Sequence, residues 1–336
     1  MNPATVNVLS VAITVLVMLI GLATIWGGFA LWYQARGGRA AKLLSVVLWG
    51  AFALAILIAL CHGRIALAVF TFGLAFAALL HWWARLQATN DRDWADDVAE
   101  MTTGTIDGNR VTLHKVRNFD WRSLTDYTQR WETRNYDLDQ LLTVDMIMSY
   151  WSRPSIAHML MSFGFLDGAQ VVFSVEIRRE KTQVFSEIGG FFKDFELSII
   201  AADERDVVRL RTNIRGEDDY LYRLQLPVAA MRLLFLGYVD AANNLIDVPR
   251  FYHTVTVNCT TLVYDMMKRI VGRLPLDYRL LLSGYLPQYV YRIGGLDRRY
   301  SLEELRRCGR ITDRAKLSDR SETFSADIRQ GLPAGP

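Results

Sequence analysis

Charged side chains are absent from residues 1–35 of this 336-residue chain, which excludes an ordinary water-soluble N-terminal segment. The run "VNVLSVAITVLVMLIGLATIWGGFALWY" is longer than the about 20 apolar residues that span a bilayer. Two more uncharged runs follow at residues 43–61 and 65–83. The sequence therefore predicts three transmembrane helices within residues 1–84. The alternative is a signal peptide followed by a buried helical hairpin, but the first run has no basic lead and is too long.

The chain has few cysteines and a small net charge. The first argues against a metal-binding protein and the second against a nucleic-acid-binding protein. The three cysteines have no paired spacing, and neither an HExxH sequence nor a carboxylate-rich loop occurs, so no metal site is expected. A GxGxxG or Walker sequence is also lacking, and no cofactor is expected. A formal net charge of +3 is too small to indicate a nucleic-acid partner.

The composition changes sharply after residue 84. A polar stretch, "RLQATNDRDWADDVAE", predicts a linker over residues 85–105. The following mixed sequence, residues 106–312, is long enough for one sizeable domain with its own core. The last stretch, residues 313–336, is polar and ends in glycine and proline, which predicts a flexible tail.

Loop charges bear on which side of the membrane this domain occupies. Three spans put the first loop and the domain on the same side. The first loop carries Arg36, Arg39 and Lys42, whereas Arg64 alone is charged in the second loop. The positive-inside rule therefore favours a cytoplasmic domain, by a margin of two residues.

A predicted hairpin lies within "SIAHMLMSFGFLDGAQVVFSVEIRRE". If Gly168 takes the left-handed position of a three-residue turn, Phe165 pairs with Ala169. Counting back from that pair places His158 opposite Glu176, on the same face of the sheet. A two-residue turn would shift this register by one position.

The best-defined helix of the domain follows Cys259. Apolar residues recur at helical spacing after the cysteine, and Gly272 marks the end of the helix. Because strands are predicted mainly before this helix, the fold class is α+β: an antiparallel sheet packed on helices, preceded by the three membrane spans.

Cys259 is the candidate nucleophile because the free amides and the dipole at a helix start stabilise a thiolate. The competing interpretation is inert packing, since Cys259 shares the buried face of its helix with Leu262 and Val263. A nucleophilic cysteine needs a base that is itself oriented by a third group. His158 lies in an apolar run where burial of an unpaired imidazole would be costly, and Glu176 would remove that cost.

Five motifs in order resemble the Lnb-type lipoprotein N-acyltransferase family, over about residues 106–285. They are "VRNFDWRSLTDYTQRWETRNYDL", "SYWSRPSIAHMLMSFGF", "FSVEIRREK", "AADERDVVRLRTNIRGEDDYLYRL" and "TVNCTTLVYDM". The resemblance implies a circularly permuted papain-like (NlpC-like) catalytic domain with Cys259 as nucleophile, His158 as base and Glu176 as orienting acid. It also implies an extracytoplasmic domain, and we follow it over the charge count, which rests on only two residues.

The resemblance further implies a multi-pass protein of the bacterial inner membrane with a periplasmic catalytic domain. Its expected partners are a phospholipid acyl donor, membrane lipid and a bacterial lipoprotein whose N-terminal amine accepts the acyl group. Asn258, Tyr150, Arg178 and Arg179 are the predicted substrate-binding residues. The two arginines could hold a phosphate, although such arginines more often pair with surface acids.

Two other functions use the same residues differently. A membrane-tethered cysteine peptidase or amidase acting on cell-wall peptide would have the same three groups, with water as the acceptor. A lipid enzyme needs an apolar groove, whereas a peptidase needs a polar cleft. A binding or scaffold protein would have no convergence of Cys259, His158 and Glu176.

Overall fold

A computed structural model describes residues 3–333 of the chain, with side chains from residue 10 onward. The chain forms two compact units. The first contains the residues up to Ala88 together with Phe185–Asp194, and the second contains Thr89–Val184 and the residues from Phe195 onward. Each unit has its own apolar core.

Three long helices build the first unit: α1 (Pro3–Gln34), α2 (Arg39–Cys61) and α3 (Ile65–Ala84). Each is long and apolar enough to cross a membrane, which confirms the three apolar helices expected from the sequence. Large apolar side chains such as Leu22, Leu48 and Phe70 are exposed on their outer faces. Such exposure suits a surface surrounded by lipid rather than water.

The first unit also includes residues 185–194, which come from the connection between two strands of the sheet. The Phe192 ring stacks on Tyr33 of α1 with the ring centroids 5.8 Å apart. The ammonium group of Lys193 donates to the carbonyl oxygen of Trp83 at 2.8 Å. This segment is therefore part of the helical unit by packing, although the sequence pattern gives no sign of it.

The second unit is built on an eight-stranded sheet with strand order β1-β2-β9-β8-β7-β6-β10, in which β5 also pairs with β2. A separate small ladder joins β3 and β4. All pairs are antiparallel except β2 with β9, so the sheet is mixed. The strands are β1 (Thr103–Asp107), β2 (Arg110–Arg117), β3 (Asp120–Trp121), β4 (Tyr127–Thr128), β5 (Trp131–Asp137), β6 (Leu141–Tyr150), β7 (His158–Phe165), β8 (Gln170–Arg178), β9 (Glu196–Ala202) and β10 (Asp218–Arg223).

Helices cover both faces of this sheet, which confirms the α+β class. The helices are α4 (Glu204–Arg209), α5 (Val228–Asp247), α6 (Cys259–Val271), α7 (Leu286–Arg292), α8 (Leu302–Gly309), α9 (Thr312–Leu317) and α10 (Phe324–Asp327). One core contains side chains of α5, α6 and α7, and the other contains side chains of α4, α9 and α10. Because successive residues of a strand point to opposite faces, Met159 lies in the first core and Leu160 in the second.

The register predicted for the β7–β8 hairpin is confirmed. Gly168 has a φ of 86°, and the Phe165 amide donates to the Ala169 carbonyl oxygen at 3.0 Å. The ladder runs as far as the pair formed by Leu160 and Ser174. Beyond that pair β7 and β8 no longer pair with each other: β7 continues back to His158 along β6, and β8 continues on to Arg178 along β9.

Two segments predicted to be irregular contribute to the core. Residues 313–333 form α9 and α10 rather than a flexible tail, with Phe324 and Ile328 fully buried. Arg329 from this segment forms ion pairs with buried Asp145 at 3.0 Å and Glu204 at 2.6 Å. Within the predicted linker, Trp94 is buried as well. A few apolar residues in a polar sequence are therefore enough to pack each segment against the core. Residues 334–336 of the predicted tail lie outside the described part of the chain.

Candidate active site

The first turn of α6 is held by its N-cap residue. The side-chain oxygen of Asn258 accepts from the amides of Thr260 and Thr261, both at 2.9 Å. The Thr261 hydroxyl accepts from the Asn258 amide in return, which completes a capping box. Cys259 is consequently fixed as the first helical residue, where the helix dipole favours negative charge. Its side chain is buried, at 6% relative exposure.

The thiol of Cys259 lies where β7 and β8 part. The backbone amide of Met159 and the imidazole of His158 both act on the thiol and favour its ionisation. Because β8 no longer pairs with β7 at this point, the sulfur can occupy the position beside the Met159 amide. The first residue of α6, Cys259, and the first residue of β7, His158, thus meet where β7 and β8 separate.

His158 is oriented by two groups of β8. Its Nε2 lies 2.8 Å from the Ser174 hydroxyl oxygen and 3.2 Å from Oε1 of Glu176. The Ser174 hydroxyl in turn donates to Oε1 of Glu176 at 2.6 Å. The structure therefore brings together the cysteine, histidine and glutamate predicted from the sequence. It adds Ser174, which the sequence reasoning missed.

The charges of the three groups depend on one another. Burial opposes ionisation of the thiol, but the hydrogen bond and charge of His158 lower the pKa of Cys259 below its ordinary value. Burial and Arg211 disfavour the imidazolium, but Glu176 and the thiol outweigh them and raise the pKa of His158 to about 9. Burial also opposes charge on Glu176, yet His158 and Arg211 keep the pKa of its carboxyl well below its ordinary value. The arrangement therefore makes the thiol easier to ionise and the imidazole easier to protonate than they are in water.

A buried arginine, Arg211, stabilises the carboxylate of Glu176. Arg211 donates to Glu176 and to Glu217, both at 3.1 Å. It lies on one turn of π-helix, Leu210–Arg215, that continues α4. Short π-helical turns inside α-helices are frequent at functional sites. The role of Arg211 was missed because the sequence does not show this irregular turn. In "VVRLRTNIR" the arginine cannot be told from one on the surface.

The charge of the Cys259 site also acts on a tyrosine hydroxyl, that of Tyr252. Burial, followed by the charges of Cys259 and Glu176, raises the pKa of Tyr252 well above its ordinary value. The hydroxyl therefore keeps its proton and can donate a hydrogen bond. Tyr252 precedes α6 in a segment without helical or strand periodicity, and the sequence reasoning did not identify it.

The predicted substrate-binding residues have structural partners in this protein. The side chain of Asn258 is occupied in capping α6, and the Tyr150 hydroxyl donates to the Gly284 carbonyl oxygen at 2.7 Å. Arg178 is buried, with hydrogen bonds to the carbonyl oxygens of Val98 and Ala99. These contacts disagree with the predicted phosphate contact of Arg178, because its guanidinium is already committed to the backbone.

The second predicted arginine also has a partner. A guanidinium nitrogen of Arg179 lies 3.0 Å from a carboxylate oxygen of Asp97. This is the pairing with an acid that competes with phosphate binding. Cys61 is exposed and Cys308 half-buried, and within residues 3–333 no cluster of three His, Cys, Asp or Glu side chains could hold a metal ion.

An apolar cavity of about 520 Å³ lies along α6, the helix that begins at the nucleophile candidate. Thr260, whose hydroxyl oxygen lies 4.0 Å from the sulfur of Cys259, forms part of its wall. Most of the other lining side chains are aliphatic, methionine or tyrosine. A ligand attached to the sulfur could place an apolar group there.

The apolar helices and the Cys259 site together define a membrane protein that carries a candidate thiol active site. Residues 127–284 match the family described as the Lnb N-terminal periplasmic domain. Over this segment the chain is similar to that family, as its motifs indicate, and the segment contains Cys259, His158 and Glu176. It is thus an Lnb-related membrane protein with a periplasmic domain. No curated protein and no solved structure matches the chain.

Alkylation of Cys259 by iodoacetamide is expected to persist to lower pH than alkylation of an ordinary thiol, because the pKa of Cys259 is lowered. The reason is the imidazolium of His158, which is lost only as the pH rises through about 9. The rate is followed by mass spectrometry of the peptide that contains Cys259. In His158→Ala the midpoint of the rate profile should move to higher pH, because burial alone disfavours the thiolate. Identical midpoints in both proteins would show that the imidazole does not act on the sulfur.

Proposed function

We propose that this protein transfers a fatty acyl group from a membrane phospholipid, through a thioester on Cys259, to the N-terminal amine of a bacterial lipoprotein. The observation that carries the proposal is the convergence of Cys259, His158 and Glu176 within a segment that matches the Lnb family. Cysteine acyl transfer requires these three roles.

In the first half-reaction the thiolate of Cys259 attacks the ester carbonyl carbon of the donor lipid. The tetrahedral intermediate collapses with cleavage of the carbon–oxygen ester bond. The departing lysolipid oxygen takes the proton held by His158, which leaves a thioester and a neutral imidazole. Glu176 and Ser174 bind Nε2 of His158, so we assign the proton exchange with the sulfur and the substrate to Nδ1.

In the second half-reaction the α-amine of the lipoprotein's diacylglyceryl-cysteine attacks the thioester. His158 accepts the proton that the amine loses as the amide bond forms. The carbon–sulfur bond then breaks, and the thiolate of Cys259 is restored beside the imidazolium. Overall one ester bond is exchanged for one amide bond, without an oxidant or an external energy source.

The developing oxyanion needs donors that are not already used. Two amides of the first turn of α6, those of Thr260 and Thr261, are occupied by Asn258. The amide of Cys259 has no acceptor among the described residues, so it is the helix donor that remains. We assign the second donor to the Tyr252 hydroxyl, since it keeps its proton and the charge of Cys259 acts on it.

A lipid donor fits the surroundings better than a peptide does. The cavity beside Thr260 is mainly apolar, whereas a peptidase would need polar groups along its cleft. Three membrane helices in the same chain would keep the site close to lipid and raise its effective concentration. The proposal therefore places the protein in the inner membrane as a multi-pass enzyme with its catalytic domain in the periplasm.

The test uses the full chain in detergent micelles with a phospholipid whose acyl chains carry deuterium. We expect the peptide containing Cys259 to gain the mass of one labelled acyl group. Addition of a synthetic diacylglyceryl-cysteine lipopeptide should discharge this adduct and yield the N-acylated lipopeptide. Cleavage of cell-wall peptide without acyl transfer would favour the peptidase alternative. Absence of both the adduct and the acylated lipopeptide would exclude the proposed function.

A further inference from the structure

The apolar cavity follows one stripe along α6. Its wall includes Thr260, Val263, Tyr264, Met267 and Val271. Apart from the adjacent pair Val263 and Tyr264, these positions recur at intervals of three or four residues, which places them on one helix face. From the first to the last, the helix rises by about 16 Å at 1.5 Å per residue. The cavity is therefore elongated and runs away from Cys259.

This length matches one lipid tail. The hydrocarbon core of a bilayer is about 30 Å thick, so each of its two leaflets contributes tails of about 15 Å. The facing wall contains Met146, Met159 and Met161 of the sheet. Methionine side chains adapt to irregular apolar ligands because they are unbranched and polarizable. A saturated chain or one with a bend could pack against such a wall.

The two ends of the stripe differ in polarity. At the start of α6, Thr260 lies beside the sulfur of Cys259. Past the C-terminal end, Arg273 forms part of the lining and makes no ion pair with any described residue. Val271 and Arg273 are both exposed, so an apolar chain that extended past this end would leave the cavity for water. A chain that reaches this end has therefore used the available apolar length.

We propose that this cavity binds one acyl chain while its carbonyl carbon is bonded to Cys259, and that its length selects the chain transferred. The inference rests on the proposed function and adds the recognition of the acyl group to it. The carbonyl end lies at the first turn of α6, and the methyl end lies toward Arg273. Long chains gain apolar contact along the whole stripe, and chains longer than the stripe meet the polar end.

A tryptophan placed midway along the stripe tests this length. Met267→Trp should still accept a butyryl group from its p-nitrophenyl ester but lose most of the reaction with the palmitoyl ester. The palmitoyl-to-butyryl ratio of acylation rates is expected to fall at least about tenfold, since methylene-sized changes in an apolar pocket have effects of this order. Lys268→Trp, at an exposed position of the same helix, is the matched control and should leave the ratio unchanged.

The butyryl rate distinguishes a blocked cavity from a misfolded protein. An unchanged ratio in Met267→Trp, with the butyryl rate retained, would overturn the proposal. If that variant does not fold, Met267→Ala serves instead and should raise the relative rate with chains longer than palmitoyl. No acylation of the unmodified protein by any ester would instead count against the proposed function.

Binding can also be followed without catalysis. In Cys259→Ala, a photoreactive palmitate analogue is expected to crosslink to residues of α6, and unlabelled palmitate should compete with it. Crosslinks outside the cavity, or none, would contradict the assignment of the cavity to an acyl chain.

Discussion

Cys259→Ala is expected to abolish acyl transfer from phospholipid to lipopeptide, lowering the rate on the order of 10⁴-fold or more. Removal of a nucleophile has effects of this size because no other group can form the covalent intermediate. The fold should survive, since alanine leaves Asn258 and Thr261 free to make the same capping box. The measurement is the rate of N-acyl lipopeptide formation by the full chain in detergent, with mass spectrometry as the readout.

Cys308→Ala is the matched control, because Cys308 lies on α8 and contributes nothing to the Cys259 site. Its rate should equal that of the unmodified protein. Substantial transfer by Cys259→Ala would mean that the donor lipid is attacked directly by the amine, and the thioester mechanism would then be wrong.

Asp206→Ala is expected to lower the free energy of unfolding of the second unit by about 3–5 kcal/mol, the usual cost of leaving one partner of a buried ion pair alone. Asp206 is fully buried and accepts from Arg117 at 2.8 and 3.0 Å. It also accepts from the Phe119 amide at 2.9 Å and from the Trp121 indole at 2.8 Å. The substitution thus leaves several buried donors without an acceptor.

Thermal unfolding in detergent, followed by tryptophan fluorescence, measures this loss. Asp126→Ala is the control, because it removes an exposed carboxylate that also pairs with an arginine, Arg122. Exposed pairs contribute little, so no measurable shift of the midpoint is expected. Equal midpoints for the two variants would show that the buried network around Asp206 does not stabilise the fold.

Local patterns carried most of what could be predicted from the sequence. Long uncharged runs correctly indicated the three apolar helices. A helix in lipid satisfies its backbone hydrogen bonds internally, so an apolar run of sufficient length is enough to indicate it. The turn around Gly168 correctly set the β7–β8 register, since loop length determines pairing in a hairpin. The helix that begins at Cys259 followed from the spacing of the apolar residues and from Gly272 at its end.

Features that depend on distant contacts were missed. Arg211 meets Glu176 through a chain separation of 35 residues and an irregular helical turn, and neither is visible as a period in the sequence. The C-terminal helices are mostly polar, and their docking depends on Phe324, Ile328 and the ion pairs of Arg329. Short amphipathic segments of this kind resemble flexible tails until their partners are known.

The segment Phe185–Asp194 has a practical consequence for work with this protein. Its Phe192 ring and Lys193 ammonium group have their contacts on α1 and α3, and Ile188 is exposed to the surroundings. A version truncated before residue 85 would leave these aromatic and aliphatic groups facing water. The fragment without residues 1–84 would therefore still aggregate unless detergent is present. Shortening the Phe185–Asp194 segment is the first change to try.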